Sequence, residues 1–138
     1  MKKNNVSNRH SQKNYSEWLL AYDCNFYIEK YFHEMLDRER KRSERSKSSF
    51  LLIQVNISGL LINGDSMHAE RIAQVLCSCK RETDIAGWYK YNAIMGVIFT
   101  ETDKLSEDII RQKIHKELSS ILNSNQLKKI KLTFYIIP

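Results

Sequence analysis

The chain is poor in glycine and proline, with four glycines and one proline in 138 residues. All-β proteins use both residues repeatedly in tight turns, so this scarcity argues against an all-β fold. No apolar run approaches the ~18 residues that are needed to cross a bilayer. The basic start is followed by polar residues, which argues against a secretory signal. We therefore expect no membrane span and a cytoplasmic location.

Cysteine is scarce as well, with three in the chain. An odd number cannot all pair within one chain. Cys77 and Cys79 lie two positions apart on a predicted helix, where their side chains point in different directions. We expect neither a disulfide framework nor a zinc site, and a reducing compartment.

The composition that remains is that of an ordinary globular protein, 42% hydrophobic and 28% charged, and the length predicts one domain. The net charge of +6 permits attraction to anions, although a basic, solvated surface explains it equally simply. Residues 1–14 are polar and are predicted to form a disordered tail or a linker. The single domain then spans residues 15–138, beginning with a short helix over residues 15–22.

Hydrophobic periodicity predicts three further helices. The first covers residues 28–45, with one apolar stripe and a basic end that suits the helix dipole. The second carries the stripe Ile72, Val75, Leu76 and Cys79, after a loop with a turn at residues 63–65. The third begins at the predicted N-cap Ser106 and packs through Ile109, Ile110, Ile114, Leu118, Ile121 and Leu122.

Four strands complete the predicted core. An unbroken apolar run at residues 50–58 predicts a central strand buried on both faces. Residues 84–89 and 94–100 predict a hairpin, and residues 131–137 a closing strand. From residue 50 onward the order is β-α-β-β-α-β, preceded by one long helix. This order predicts an α+β, ferredoxin-like fold with helices packed on an antiparallel-containing sheet.

Residues 81–103 carry a more specific pattern: Arg81-x-x-Asp84, a short strand, a polar-aromatic turn and an apolar strand. This pattern resembles the centre of a GGDEF domain, the fold of the diguanylate cyclases. The resemblance extends over about residues 23–137. It implies a nucleotide-cyclase-like arrangement of the predicted core.

The signature turn of that family is changed in this chain. Two glycines and two acids are replaced by Lys90, Tyr91, Asn92 and Ala93. Glycines let backbone amides approach a triphosphate, and the acid holds metal during phosphoryl transfer. Asn56 and Ser58 stand where the family has its Asp-x-Asp metal ligands. The resemblance therefore implies a degenerate domain that is not an enzyme and that needs no metal and no cofactor.

Arg81 and Asp84 match a motif that, in the family, forms an inhibitory site for cyclic di-GMP. Arginine suits bidentate contact with phosphate. The resemblance thus implies ligand binding through Arg81 and Asp84, with a further basic residue such as Lys80 or Arg42. The alternative is a purely structural Arg–Asp pair at a helix-to-strand junction.

The function expected from this resemblance is signalling, regulation or protein interaction, in a homodimer or with a protein partner. The Gly87-Trp88-Tyr89 start resembles degenerate GGDEF-like proteins associated with bacterial exopolysaccharide gene clusters. We expect Trp88 in the core and Tyr91 exposed. One alternative function is a cyclic di-GMP receptor, and another is a nucleic-acid-binding ferredoxin-like domain. The aliphatic strand at residues 93–99 argues against RNA binding, because base stacking needs aromatic residues there.

Overall fold

The computed structural model describes residues 24–62, 66–102 and 104–138. The predicted tail, the predicted helix at residues 15–22 and the predicted turn at residues 63–65 lie outside these ranges. The described elements follow the chain as β1 (Phe26–Tyr27), α1 (Glu29–Ser46), β2 (Phe50–Asn56), α2 (Ser58–Leu61), α3 (Ser66–Cys79), β3 (Ile85–Lys90), β4 (Ile94–Phe99), α4 (Lys104–Ile121), α5 (Ser124–Leu127) and β5 (Lys131–Ile137).

The strands form one five-stranded sheet in the order β1-β3-β4-β2-β5. The short β1 runs parallel to β3, and the other neighbouring pairs are antiparallel. The predicted β-α-β-β-α-β order, preceded by a long helix, is therefore confirmed. None of the described helices is both long and apolar enough to cross a membrane.

Several predicted boundaries are wrong for local reasons. The central strand β2 ends at Asn56 because Ser58 already begins α2. Helix α4 begins at Lys104, so Ser106 lies inside its first turn and is not the N-cap. The prediction that Ile109 lies on the core face of that helix is wrong, because its side chain is 64% exposed. The elements β1, α2 and α5 are too short for a period to be visible in the sequence.

The sheet separates two hydrophobic clusters, and β2 contributes to both. Leu51, Ile53 and Val55 lie in the larger cluster, together with buried residues of α3 and α4. Phe50 and Leu52 lie in the smaller cluster, with residues of α1. This alternation follows from the two-residue period of a strand, so the prediction of a strand buried on both faces is confirmed.

Helix α1 approaches β4 closely at one point. The ring of Phe32 is fully buried and lies over Gly96. A Cβ atom at Gly96 would be 2.6 Å from Cζ of Phe32. Glycine at this position therefore allows α1 to pack directly against the sheet.

Cys24 and Cys77 form a disulfide, so the expectation of no disulfide is wrong. The bond joins the start of β1 to α3, with Cα atoms 6.0 Å apart. Cys77 and Cys79 do not pair with each other, as their directions on the helix predict. The partner of Cys77 is Cys24, 53 residues away in the chain, which no local pattern indicates. Cys79 is a free, buried thiol, and burial raises its pKa.

Reduction of this disulfide is expected to lower the free energy of unfolding by about 4 kcal/mol, because the bond closes a long loop and so restricts the unfolded chain. The measurement is urea unfolding followed by tryptophan fluorescence, with and without dithiothreitol. Cys24→Ser is the matched control, since dithiothreitol should not change its stability further. Equal stability of the unmodified protein in both conditions would contradict the prediction.

Candidate functional site

The candidate residues lie at the two ends of the β3–β4 hairpin. At one end, the guanidinium of Arg81 donates to both carboxylate oxygens of Asp84, at 2.9 and 3.0 Å. The same carboxylate accepts from the backbone N–H of Arg81 at 2.8 Å and of Thr100 at 3.1 Å. The side chain of Asp84 is fully buried, whereas that of Arg81 is 57% exposed.

These contacts occupy the carboxylate of Asp84 within the protein. Arg81 also donates to the carbonyl of Thr100 at 2.6 Å, which joins the start of β3 to the end of β4. The structural pair considered from the sequence is therefore present. Only Arg81 keeps exposed surface from which a ligand could be contacted.

Two further basic residues reach the same end of the hairpin. Arg42, on α1, donates to the carboxylates of Glu39 and of Glu101, the residue after Thr100. Lys80 donates to the carbonyl of Arg81 at 3.3 Å. The hydrogen bond with Glu39 is the main cause that raises the pKa of Arg42, and the hydrogen bond with Asp84 is the main cause that raises the pKa of Arg81. The structure thus brings Arg42, Lys80 and Arg81 together.

At the other end of the hairpin, Lys90 closes β3 and the turn runs through Tyr91, Asn92 and Ala93. Asn92 has a left-handed φ of 61°, and Ala93 N–H donates to the carbonyl of Lys90 at 3.1 Å. The ring of Tyr91 packs edge-on against buried Trp88, with centroids 5.5 Å apart. The prediction that Trp88 lies in the core is confirmed. The prediction that Tyr91 is exposed is wrong, because its side chain is half-buried against the core.

An acid from α1 reaches this turn. Glu29 accepts a hydrogen bond from the backbone N–H of Tyr91 at 2.8 Å. Sequence reasoning gave Glu29 no role, because the two residues are 62 positions apart. The only local signal was an acid in the first turn of a helix, which is a common feature of helices.

Asn56 and Ser58 lie beside the turn. The N–H of Ile57, the residue between them, donates to the carbonyl of Ala93 at 2.8 Å. Asn56 Oδ1 accepts from the backbone N–H of Ser58 at 3.0 Å and from its hydroxyl at 2.7 Å. The two side chains therefore bond to each other, and neither supplies the negative charge that magnesium prefers.

The two ends of the hairpin are separate places. The strand β3 lies between Asp84 and the turn, and its six residues span about 20 Å. The structure therefore brings Asn56 and Ser58 to the Lys90–Ala93 turn but keeps Arg81 and Asp84 apart from them. Within the described ranges, no three His, Cys, Asp or Glu residues are grouped so that they could hold a metal ion.

Solved structures of diguanylate cyclases share this fold. A DGC protein from Thermotoga maritima is similar with a TM-score of 0.65 and 17% identity, over 81% of this chain and 80% of that one. The GGDEF domain of DgcB from Caulobacter crescentus, in complex with c-di-GMP, is similar with a TM-score of 0.58 and 17% identity, over 81% of this chain and 72% of that one. The diguanylate cyclase SiaD from Pseudomonas aeruginosa, in complex with its activator SiaC, is similar with a TM-score of 0.63 and 15% identity, over 95% of this chain and 56% of that one.

No protein-family model and no curated protein sequence matches this chain. The likeness is therefore one of structure at low identity, and it establishes a GGDEF-like, nucleotide-cyclase-like fold. The resemblance inferred from residues 81–103 is confirmed at that level.

Asp84→Ala is expected to destabilise the protein by about 2–3 kcal/mol, because it removes a buried carboxylate and leaves two partly buried backbone N–H groups without their acceptor. Arg81→Ala is expected to cost less, about 1 kcal/mol, since Arg81 is largely exposed and the carboxylate keeps both backbone donors. Urea unfolding measures both effects. Glu82→Ala, an exposed neighbour, is the control and should be neutral. Equal costs for the Arg81 and Asp84 changes would contradict this account.

Proposed function

We propose that this chain is a catalytically inactive GGDEF-like domain that acts in signalling by binding a partner. One observation carries the proposal: at the turn of residues 90–93, which contains no acid, the backbone N–H of Tyr91 is bonded to Glu29 and the ring of Tyr91 packs against Trp88. A triphosphate would need bare backbone at this turn and a metal held by acids beside it.

The contacts of the turn support the loss of catalysis. The N–H of Tyr91 is already bonded to Glu29, and its ring packs against Trp88. An amide in this state cannot donate to a phosphate unless Glu29 moves away. Asn56 and Ser58 bond to each other and carry no charge. Glu29 is a single carboxylate, whereas phosphoryl transfer uses a clamp of several charges.

A domain of this kind would serve as a bacterial regulator or adaptor, with a second copy or another protein as its partner. The structure of SiaD in complex with its activator SiaC offers a precedent in which a protein of this fold is bound by another protein. The Gly87-Trp88-Tyr89 start favours a link with exopolysaccharide regulation.

A cytoplasmic location stays a prediction. The Cys24–Cys77 disulfide counts against a strongly reducing compartment, because structural disulfides persist mainly where the surroundings are oxidising.

Incubation of the purified protein with GTP and magnesium is expected to yield no cyclic di-GMP, because the turn lacks an open phosphate site and acidic metal ligands. Product formation is measured by chromatography, with the Thermotoga maritima protein as the positive control under the same conditions. Product formed by this chain, and lost on Tyr91→Ala or Glu29→Ala, would refute the proposal.

The second candidate function is a cyclic di-GMP receptor at the Arg81 end of the hairpin. It is favoured by the convergence of Arg42, Lys80 and Arg81 on one surface, and by the c-di-GMP complex of DgcB. Because Asp84 is buried and fully bonded, the contacts would come from the arginines and not from Asp84.

If this second function holds, calorimetric titration with cyclic di-GMP should give saturable heat. Arg81→Ala should weaken binding about tenfold, as expected for loss of a charged phosphate contact. Arg45→Ala, which removes an equal charge on the exposed end of α1, should change little. Flat heats, or equal effects of both variants, would eliminate a specific site.

A further inference from the structure

Helix α4 and strand β5 border an open groove that neither end of the hairpin uses. Its volume is about 400 Å³, and we call it the α4–β5 groove. The helix lines it with Arg111, Gln112, His115 and Lys116, and the strand with Leu132 and Phe134. Cationic and apolar groups thus face the same space.

Strand β5 lies at the end of the sheet, and none of the described strands pairs with its outer edge. Its pairing with β2 is regular from Lys131 to Ile137. Natural edge strands are usually protected by charges, proline or bulges. From Leu132 to Ile137 this strand has neither charge nor proline, and Tyr135 and Ile136 are 45% and 37% exposed. Such an edge favours the addition of another strand.

The helix side of the groove carries the basic side chains of Arg111 and Lys116. Arg111 lies over the ring of Phe134, 4.0 Å from its centroid, and pairs with Glu107 on the preceding helical turn. Lys116 is exposed one turn further along α4. Lys128 and Lys129 add exposed positive charge to the segment that leads into β5. A ligand with carboxylates would complement this surface.

We propose that the α4–β5 groove binds an acidic, extended peptide segment of a partner protein. The segment pairs with the outer edge of β5 as an additional strand. Its carboxylates project on the α4 side of the sheet, toward Arg111 and Lys116, and its alternate apolar side chains project on the opposite side, beside Tyr135 and Ile137. Main-chain hydrogen bonds supply affinity and the alternate side chains supply specificity, as in other cases of strand addition. This inference rests on the partner-binding part of the proposed function and names the surface.

Charge favours an acidic partner over a second copy of this chain. Antiparallel pairing of two β5 edges about a two-fold axis would place both α4 helices side by side on one face of the joined sheet. Arg111 and Lys116 of each copy would then approach their equivalents. Like charges that approach each other repel, whereas glutamate or aspartate side chains would be attracted.

The test measures fluorescence anisotropy of a short labelled peptide in which glutamate and valine alternate. Saturable binding is expected, and Lys116→Glu should weaken it about tenfold, because an attraction becomes a repulsion. Lys41→Glu is the matched control: it makes the same charge change on an exposed position of α1 and should leave affinity unchanged. Equal effects of both variants would mean that the peptide binds through the net charge of the protein and not at the groove, which would overturn the proposal.

Two altered peptides separate strand pairing from charge. A peptide N-methylated at the central valine and at the glutamate after it keeps its charge but loses one backbone donor on each edge of the strand, so it should bind about tenfold more weakly whichever edge faces β5. A lysine–valine peptide should not bind. Full affinity of the N-methylated peptide would refute strand addition.

A dimer detected by sedimentation that excludes the glutamate–valine peptide would assign the edge to a second copy, and would likewise overturn the proposal. Unfolding curves confirm that each variant is folded. Failure here leaves the cyclase assay unaffected, since the groove contains no residue of the hairpin turn.

Discussion

The structure depends on the burial of β2 between two partner strands and two hydrophobic clusters. Its backbone is hydrogen-bonded to β4 on one side and to β5 on the other, and its side chains alternate between the clusters. A shift of one residue would exchange these faces, so the register is strongly determined. That register places Asn56 opposite Ile94, beside the hairpin turn, and leaves β5 at the edge.

The turn shows how a fold can keep its shape when its side chains change. The hydrogen bonds that position it use the backbone of the turn: Ala93 donates to Lys90, Ile57 donates to Ala93, and the N–H of Tyr91 donates to the side chain of Glu29 on α1. Side chains at residues 90–93 can vary without breaking these bonds. The chemistry of the turn depends on those side chains, because they decide whether a phosphate can approach and whether a metal is held. Shape and activity are therefore determined by different groups at the same place.

Local patterns in the sequence were enough to predict most of the fold. The stripe on α1 and the apolar run of β2 each reflect burial that repeats along one element. The Arg81–Asp84 contact was also foreseeable, since the two residues are three apart in one turn. The pairs Cys24–Cys77 and Glu29–Tyr91 were not, because they depend on how distant elements pack. The exposure expected for Tyr91 is wrong for a local reason: a β-bulge between Trp88 and Lys90 interrupts the alternation of side chains just before the turn.

The positions of the charged side chains determine the binding properties of the surface more than the net charge of +6 does. Arg42 is compensated by Glu39 and Glu101, and Arg81 by buried Asp84, so both are held in place by acids. Cations fixed in this way form part of the fold, and a ligand must compete for them. Arg111 is held in the same way, by Glu107 and by the ring of Phe134. Acids thus fix the arginines in both places, and an acidic ligand of the α4–β5 groove must compete with Glu107 for Arg111 but not for the exposed Lys116.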